Sequence, residues 1–427
     1  MKMTLVEKLF ARKLQRARIT AGEFVFAPLD LVLGTDITVA LSVEIFKDIG
    51  AEKVFDKSKI VFINDHLVPA RDIASANLAK AMREFAEEQQ IEHYFEVGRS
   101  GICHITVPEN GLVVPGDIVA GADSHTCTYG ALGAFAAGIG STDMAAAWAL
   151  GELWFNVPET LKVILTGRLN PYVSGKDIVL YIIGKLGPAG AHYKVLEFTG
   201  PALKTLSMAD RFTICNMAVE AGAKSGLIPA DEITEKYLEG RTGKKACFLQ
   251  PDEGAVYCDT IEIDIGNIQP LVAAPYDPAN VFTAGEVEGI AIHQVVIGSC
   301  TNGRIEDFRM AHGILKGKRV NPNTRLIVIP GSPLVLKQMQ GENMLEDFIE
   351  AGAVIAPSTC GPCIGGHMGV LADDEVGLYT TNRNFVGRNG AKSSKVYLCS
   401  PATAAFSAIH GKIVSPCFFA SGGRGLF

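Results

Sequence analysis

The chain has 427 residues, of which 48% are hydrophobic and 20% charged, so it can form two or three globular domains with a large core. Its formal net charge is −7, and no lysine and arginine cluster stands out beyond Lys316-Gly-Lys-Arg319, which argues against nucleic-acid binding. No stretch approaches the ~20 continuous apolar residues of a membrane span, and nothing at the N-terminus resembles a signal peptide.

The first third of the chain repeats a pattern of strand, polar loop and helix. Short apolar runs are typical of buried strands, and apolar residues at helical spacing predict helices. The predicted elements are helices at 1–20, 41–50 and 73–90, and strands at 24–33, 59–63, 94–98 and 118–122. The Gly- and Ala-rich segment 129–150 can pack closely against a sheet. Such repeats predict βαβ units and a largely parallel sheet, so the expected fold class is α/β.

The middle of the chain has a different character. The predicted elements there are strands at 161–165, within 191–200 and at 257–265, and helices at 176–186, 210–223 and 234–243. The proline-rich segment 270–278 predicts a linker. From about residue 284 the α/β pattern resumes, with a strand at 325–329 between two cysteine-bearing loops. We therefore expect three α/β domains, at 1–165, 166–283 and 284–427.

Histidines and carboxylates concentrate in the loops that follow the first strands. Three of the nine histidines lie there, namely His66, His104 and His125, and two of them adjoin Asp65 or Asp123. A neighbouring carboxylate raises the pKa of an imidazole and fixes its tautomer, as a general acid requires. One such pair alone is more typical of a surface turn. Three histidines at equivalent strand ends favour an acid–base site.

Three of the cysteines lie in two loops, each of which follows a β-branched run. Cys300 lies in one loop, and Thr359-Cys360-Gly-Pro-Cys363 supplies the other two. Ligands of open α/β sheets bind at loops beyond the carboxyl ends of strands, so three thiols could meet. They could hold zinc, or an iron–sulfur cube with one iron left open as a Lewis acid. Ordinary buried cysteines remain an alternative, as does a dithiol oxidoreductase, because Cys-Gly-Pro-Cys is also the thioredoxin tetrapeptide.

Two arginines lie five residues apart in a Gly- and Asn-rich loop, as Arg383 and Arg388. Guanidinium groups bind carboxylates through two parallel hydrogen bonds, although exposed arginines also cap helix carbonyls. If this loop lies beside an open Lewis-acid iron, the expected ligand is a small polycarboxylate. The ten cysteines are scattered along the chain, which indicates reduced thiols or metal ligands and a cytoplasmic location rather than a disulfide framework.

Eight motifs of this chain occur in one order and cover most of its length. They are Asn64-Asp-His66, Gly121-Ala-Asp-Ser-His-Thr126, Val173-Ser-Gly-Lys-Asp177, Asn216-Met-Ala-Val-Glu220, Gly298-Ser-Cys-Thr-Asn302, Thr359-Cys-Gly-Pro-Cys363, Thr381-Asn-Arg-Asn-Phe-Val-Gly387 and Ser400-Pro-Ala-Thr-Ala-Ala405. In this combination the chain resembles the large subunits of the 3-isopropylmalate dehydratase branch of the aconitase family. Homoaconitase and 2,3-dimethylmalate dehydratase large subunits are near relatives in the same family.

The resemblance implies three α/β domains closing on one [4Fe–4S] cluster per subunit. The cluster would be held by Cys300, Cys360 and Cys363, and its open iron would bind the substrate hydroxyl and a carboxylate. The implied activity is reversible dehydration of a malate-type dicarboxylate, in the first place the isomerisation of 2- and 3-isopropylmalate in leucine biosynthesis. The alternatives are 2,3-dimethylmalate and homoaconitate as substrates.

The resemblance also implies roles for individual side chains. Asp65 and His66 match the dyad that protonates the leaving hydroxyl. The remaining matches are two supporting pairs, His104 with Asp123 and His125 with Glu220, and a substrate-contacting loop with Asn382, Arg383 and Arg388.

A fourth, swivelling domain of monomeric aconitases, with the catalytic base, has no counterpart in this sequence, so a separate small subunit is expected to supply it. Departures from the family pattern occur at Thr35, at Cys103 and in the ending Cys417–Phe427. A second class of function, an RNA-binding regulator, is known for some aconitase relatives, but the acidic balance argues against it here.

Overall fold

The computed structural model of the protein describes residues 2–416, so the unusual ending Cys417–Phe427 lies outside the described residues. The chain forms two compact units. The first unit comprises Met1–Leu165 and Ala191–Ile263, and the second comprises Thr166–Gly190 and Asp264–Phe427. The division into three consecutive domains stays a prediction.

The helices and strands alternate along most of the chain. The helices are α1 (Leu5–Lys13), α2 (Val39–Asp48), α3 (Ile73–Glu88), α4 (Cys103–Glu109), α5 (Ser141–Leu150), α6 (Gly175–Leu186), α7 (Met208–Asn216), α8 (Glu232–Leu238), α9 (Ser299–Asn302), α10 (Ile305–Leu315), α11 (Pro333–Gly341), α12 (Met344–Ala351), α13 (Gly361–Ile364) and α14 (Pro401–His410). The strands are β1 (Phe24–Pro28), β2 (Leu31–Thr35), β3 (Ile60–Ile63), β4 (His93–Phe95), β5 (Ile118–Gly121), β6 (Phe135–Gly138), β7 (Glu152–Asn156), β8 (Thr160–Thr166), β9 (Val195–Thr199), β10 (Ser225–Leu227), β11 (Asp259–Asp264), β12 (Leu271–Ala273), β13 (Val281–Thr283), β14 (Gln294–Gly298), β15 (Arg325–Ile329), β16 (Ala353–Ile355), β17 (Val376–Tyr379) and β18 (Lys395–Cys399).

The first unit is built around a five-stranded parallel sheet with the order β4-β3-β2-β5-β6. Strands β2, β3 and β5 are buried along their whole length, as expected for a parallel sheet covered on both faces. After β2, the chain adds β3 and then β4 on one side of β2. It then adds β5 and β6 on the other side of β2. This reversal of strand order places a crevice at the carboxyl ends of β2 and β5, where open α/β sheets bind ligands. The predicted parallel α/β class is confirmed.

One predicted strand is wrong as a single element. The apolar run 24–33 forms two strands, because β1 ends at Pro28, which has no N–H to continue a ladder. Strand β1 pairs antiparallel with β7, whereas β2 joins the parallel sheet. A further sheet of the first unit has the order β10-β9-β8-β11.

The second unit contains a seven-stranded sheet with the order β13-β12-β18-β17-β14-β15-β16. Its five strands from β18 to β16 are parallel, and β12 and β13 add an antiparallel edge. The predicted linker at 270–278 is therefore wrong, because it contains the buried strand β12. Pro270 and Pro275 lie outside the three paired residues, so neither proline interrupts the ladder. Among residues 2–416, no helix is both long enough and apolar enough to cross a membrane.

The core of the first unit contains a cluster of aromatic rings around Trp148, which is fully buried. Its ring centroid lies 6.2, 5.2 and 5.3 Å from those of Phe46, Phe62 and Phe85. The indole Nε1 has no hydrogen-bond partner among the described residues, so packing alone stabilises this side chain.

We expect Trp148→Ala to lower the free energy of unfolding by about 3–5 kcal/mol, because it leaves a large cavity. Trp154→Ala is the matched control, since Trp154 is 55% exposed and stacks on Phe24 at 6.2 Å. We expect Trp154→Ala to lower the free energy of unfolding by about 1 kcal/mol or less. Urea unfolding of both variants, followed by circular dichroism, measures the difference. Equal costs for the two variants would contradict the assigned core.

Candidate active site

Asp36 organises the loop after β3 in the first unit. The residue follows β2 directly and is 1% exposed. Its carboxylate accepts backbone N–H bonds from Asp65, His66 and Leu67, at N···O distances of 3.2, 2.9 and 2.8 Å. Three consecutive donors on one carboxylate fix the course of this loop, so the side chains of Asp65 and His66 have a defined direction.

Asp65 and His66 form a buried pair. His66 Nδ1 lies 2.6 Å from Asp65 Oδ1, and the other carboxylate oxygen accepts the backbone N–H of Cys103 at 2.7 Å. Both residues are at most 2% exposed. The contact with Cys103 uses the backbone alone, so the thiol that departs from the family pattern is not needed for it. Thr35, the other residue that departs from the family pattern, is also buried. Its hydroxyl oxygen lies 3.2 Å from that of Thr38.

His66 is held in its charged form. Burial alone lowers the pKa of an imidazole. The charge of Asp65, the contact with Asp123, the hydrogen bond to Asp65 and the charge of Asp36 together raise the pKa of His66 well above its usual range. Because Nδ1 bonds Asp65, the proton that can be transferred is the one on Nε2. This nitrogen lies 3.6 Å from Asp123 Oδ2. A buried imidazolium whose Nδ1 is held by a carboxylate is suited to act as a general acid through Nε2.

Asp123 lies among three histidines. Its Oδ1 is 2.8 Å from His104 Nε2 and accepts the backbone N–H of His125 at 2.7 Å, while its Oδ2 faces His66. Burial alone would raise the pKa of Asp123, but the charge and hydrogen bond of His104 and the hydrogen bonds from His125 and His66 hold it well below its usual range. The carboxylate is therefore an anion that can hold neighbouring imidazoles in place.

Two further contacts complete the first-unit site. His104 Nδ1 lies 3.0 Å from the Tyr129 hydroxyl, and His125 Nε2 lies 2.8 Å from Glu220 Oε1. Glu220 comes from the turn after α7, at 7% exposure. The structure thus brings together the six acid–base residues named from the sequence. It adds Asp36 and Tyr129, which sequence analysis missed because no local pattern marks a contact across so many residues.

In the second unit, Cys300 lies in the short helix α9, which directly follows β14 at a strained stretch of backbone. Gly298 has a φ of 146°, and a Cβ there would lie 2.5 Å from the carbonyl oxygen of Ile329, so only glycine fits. Ser299 has a φ of 81°, which is uncommon for a residue with a side chain. Local strain of this kind concentrates at functional sites.

Cys360 and Cys363 lie at the start and within the short helix α13, after β16. Asn382 connects this loop with Cys300, because its Oδ1 accepts from Cys363 Sγ at 3.3 Å and its Nδ2 lies 3.4 Å from Cys300 Sγ. All three cysteines are at most 8% exposed, and none of them forms a disulfide. Buried thiols that share an amide contact are a suitable donor set for a thiolate-bound metal group.

Several polar side chains hold the two cysteine loops by their carbonyl groups. Arg304 donates to the carbonyl oxygens of Cys300 and Thr301, and Arg388 Nε donates to that of Cys363 at 3.0 Å. Arg383 lies over the ring of Phe385, with 5.9 Å from its guanidinium carbon to the ring centroid. Asn382 and Arg388 therefore contact Cys300 and Cys363, and Cys360 lies three residues before Cys363 in the same loop.

Comparisons with known proteins show the family of the chain. The profile described as "Aconitase family (aconitate hydratase)" matches residues 7–288 and 283–411. The chain belongs to the aconitase family. Aconitase-family relatives include proteins named 3-isopropylmalate dehydratase large subunit from Syntrophus aciditrophicus and Moorella thermoacetica. They are 52% and 53% identical over 97% of this chain and 99% of each relative.

Other members of the aconitase family extend the comparison. A third relative with the same name, from Caldicellulosiruptor bescii, is 54% identical over 97% of both chains. Among solved structures, Thermococcus kodakaraensis aconitase X in its holo-form matches with a TM-score of 0.50 at 13% identity. The match covers 90% of this chain and 94% of that one. At this identity the likeness shows the fold alone.

We expect Asp65→Asn to lower the pKa of His66 toward the usual range of histidine, because the amide has no charge to hold the imidazolium. The raised pKa stabilises the fold below the usual histidine pKa, and this stabilisation is lost as pH rises through the folded value. NMR titration of ¹⁵N-histidine-labelled protein measures the shift, with the His66 signal assigned from a His66→Gln variant. Asp48→Asn, an exposed carboxylate at the end of α2, should leave the titration unchanged. An unchanged His66 pKa in Asp65→Asn would refute the pairing.

Proposed function

We propose that the chain is the large, cluster-bearing subunit of a cytoplasmic hydro-lyase that reversibly dehydrates a malate-type dicarboxylate, with 3-isopropylmalate as the substrate. The observation that carries the proposal is the buried Asp65–His66 pair, whose imidazolium is a ready general acid. The relatives' name supports the substrate, since they match this chain over nearly its full length. The activity would place the protein in leucine biosynthesis.

The donor set of the second unit supports a [4Fe–4S] cluster held by Cys300, Cys360 and Cys363. Three thiolates leave one iron of such a cluster open, and an open iron supplies Lewis-acid polarisation of a substrate oxygen. The Asn382 Nδ2 group would donate a hydrogen bond to the Cys300 sulfur and so tune the group. Zinc would use the same thiolates, but the family membership favours the cluster.

The protein's own residues would move the protons. In dehydration, His66 Nε2 donates its proton to the departing hydroxyl, which leaves as water, and His66 becomes neutral. His66 keeps its Nδ1 proton, which stays hydrogen-bonded to Asp65. The Asp65 carboxylate stabilises the imidazolium before the transfer. The reverse reaction returns the proton from water to Nε2. His104 with Asp123 and His125 with Glu220 would hold the neighbouring groups in place.

The arginine loop would bind the substrate carboxylates. Arg388 uses Nε for the Cys363 carbonyl, and its outer N–H groups have no partner within residues 2–416, so they can receive a carboxylate. Asn382 and Arg383 belong to the same loop. The proton on the carbon beside a carboxylate needs a base from elsewhere, and we assign it to a small subunit that carries the swivelling domain. The relatives are named large subunits, which supports such a partner.

The substrate assignment predicts that the chain is active only when its small subunit is co-expressed and the cluster is reconstituted anaerobically. We expect 3-isopropylmalate to be dehydrated with a higher kcat/KM than 2,3-dimethylmalate or homocitrate. His66→Gln should lower kcat about 10²–10⁴-fold and leave the visible absorbance of the cluster unchanged.

His312→Gln is the matched control for this experiment, because half-buried His312 in α10 also pairs with a carboxylate, that of Asp347 in α12 at 2.6 Å. It should retain full activity. A preference for 2,3-dimethylmalate would change the substrate and leave the reaction class intact. Full activity of His66→Gln would remove the proposed general acid.

The ligand assignment predicts that Cys360→Ser abolishes the visible absorbance of the reconstituted protein and its bound iron, because two thiolates cannot retain the cluster. Cys258→Ser is the control, since Cys258 is exposed and should leave both unchanged. Iron and sulfide analysis beside the absorbance spectrum measures the loss. A cluster that persisted in Cys360→Ser would show that other residues ligate it.

A further inference from the structure

Lys176, in the motif Val173-Ser-Gly-Lys-Asp177, has no role in the function proposed above. It lies in the first turn of α6 and is fully buried. A capping box of Ser174 and Asp177 fixes the start of this helix, and Asp177 also accepts the backbone N–H of Leu271 in β12 at 2.9 Å. The helix start is therefore anchored to the sheet of the second unit, and Lys176 extends from a fixed base.

The ammonium group of Lys176 joins the Cys300 loop to the loop that carries Asn382. Its Nζ donates to the carbonyl oxygens of Thr380 and Thr381 at 2.8 and 2.6 Å, and lies 3.4 Å from Asn302 Oδ1. Asn302 is two residues after Cys300. Thr381 directly precedes Asn382, whose amide contacts two of the cysteine sulfurs. One side chain thus bridges the ends of the neighbouring parallel strands β14 and β17.

The contacts require Lys176 to be charged. A neutral amine has two hydrogens to donate, whereas the three oxygen acceptors around Nζ need the three hydrogens of an ammonium group. A buried ammonium is costly unless a negative charge compensates it. Within residues 2–416, no carboxylate oxygen lies within 4.0 Å of Nζ. Asp307 is connected to it only through Asn302, and Asp177 turns its oxygens to backbone N–H groups.

The charges of Asp177 and Asp307 act on Lys176, but neither carboxylate contacts its ammonium group. Burial raises the pKa of Cys399 and keeps that thiol neutral. Cys363, one of the proposed ligands, is connected to Lys176 through Asn382 and the preceding residue Thr381. A [4Fe–4S]²⁺ core with three thiolates carries a net charge of −1 from its formal charges, so it would provide a counterion for the ammonium.

We propose that Lys176 is a positioning residue that joins the Cys300 and Asn382 loops and whose positive charge compensates the thiolate-bound cluster. The inference rests on the proposed function insofar as the three thiols hold a cluster. A positive charge near the cluster favours its reduced, more negative state, and therefore raises its reduction potential. Loss of the charge would shift the potential to more negative values, which loss of packing alone would not do.

The experiment compares Lys176→Met, Lys176→Gln and Lys176→Arg in the full chain after anaerobic reconstitution. Lys185→Met is the matched control, because Lys185 is an exposed lysine of the same helix. The measurements are thermal unfolding without iron, the rate of cluster loss to a chelator, and the reduction potential of the remaining cluster by spectroelectrochemistry. None of these readouts depends on catalytic activity.

We expect Lys176→Met and Lys176→Gln to lose the cluster at least about tenfold faster and to have a more negative reduction potential. Lys176→Arg should retain a potential near that of the unchanged protein, because it keeps the charge, and Lys185→Met should match the unchanged protein throughout. An unchanged potential in both Met and Gln variants would overturn the inference. So would a failure of both to fold without iron while Lys176→Arg folds, since the charge would then serve the fold itself. If the unchanged protein binds no cluster, the proposed function fails first.

Discussion

The buried carboxylate of Asp36 is the constraint on which the first-unit site depends. It gathers the backbone N–H groups of three consecutive residues, and through them it holds the Asp65–His66 pair away from solvent. Without water to screen them, the charges of Asp65 and His66 act strongly on each other. The imidazolium is stable because its surroundings are anionic, and the anions are stable because they are bonded to N–H groups and imidazoles. Each ion is thus compensated by several neighbours, and the group functions as one network.

The second-unit site follows the same principle with the charges reversed. There the proposed ligands are anions when they hold a metal group, and the surrounding donors are cationic or neutral N–H groups from Lys176, Arg304, Arg388 and Asn382. Most of these donors bind backbone carbonyl oxygens of the loops. The loops are thereby shaped by side chains that come from other elements, so the short helices α9 and α13 do not have to be stable alone.

Much of the fold could be predicted from local patterns, because β3, β5 and β15 are continuous apolar runs with turn residues on both sides. The split of 24–33 and the strand β12 could not be predicted reliably. Both depend on which partner strand is adjacent, and that is set by the whole sheet. In the site, Asp65 and His66 are neighbours in sequence and could be found together. Asp36 and Tyr129 contact their partners across long separations, and no spacing rule marks such contacts.

The connectivity of the two units bears on the order in which the protein can fold during synthesis. The ribosome delivers Thr166–Gly190, with Lys176, before Ala191–Ile263 completes the first unit, and well before the cysteine loops emerge. Domains generally fold as units during synthesis, beginning at the N-terminal side. Helix α6 therefore has no packing partner from the second unit until the strands of that unit have been synthesised. The nascent chain thus exposes its buried lysine, and the apolar face of α6, until almost the last strand is available.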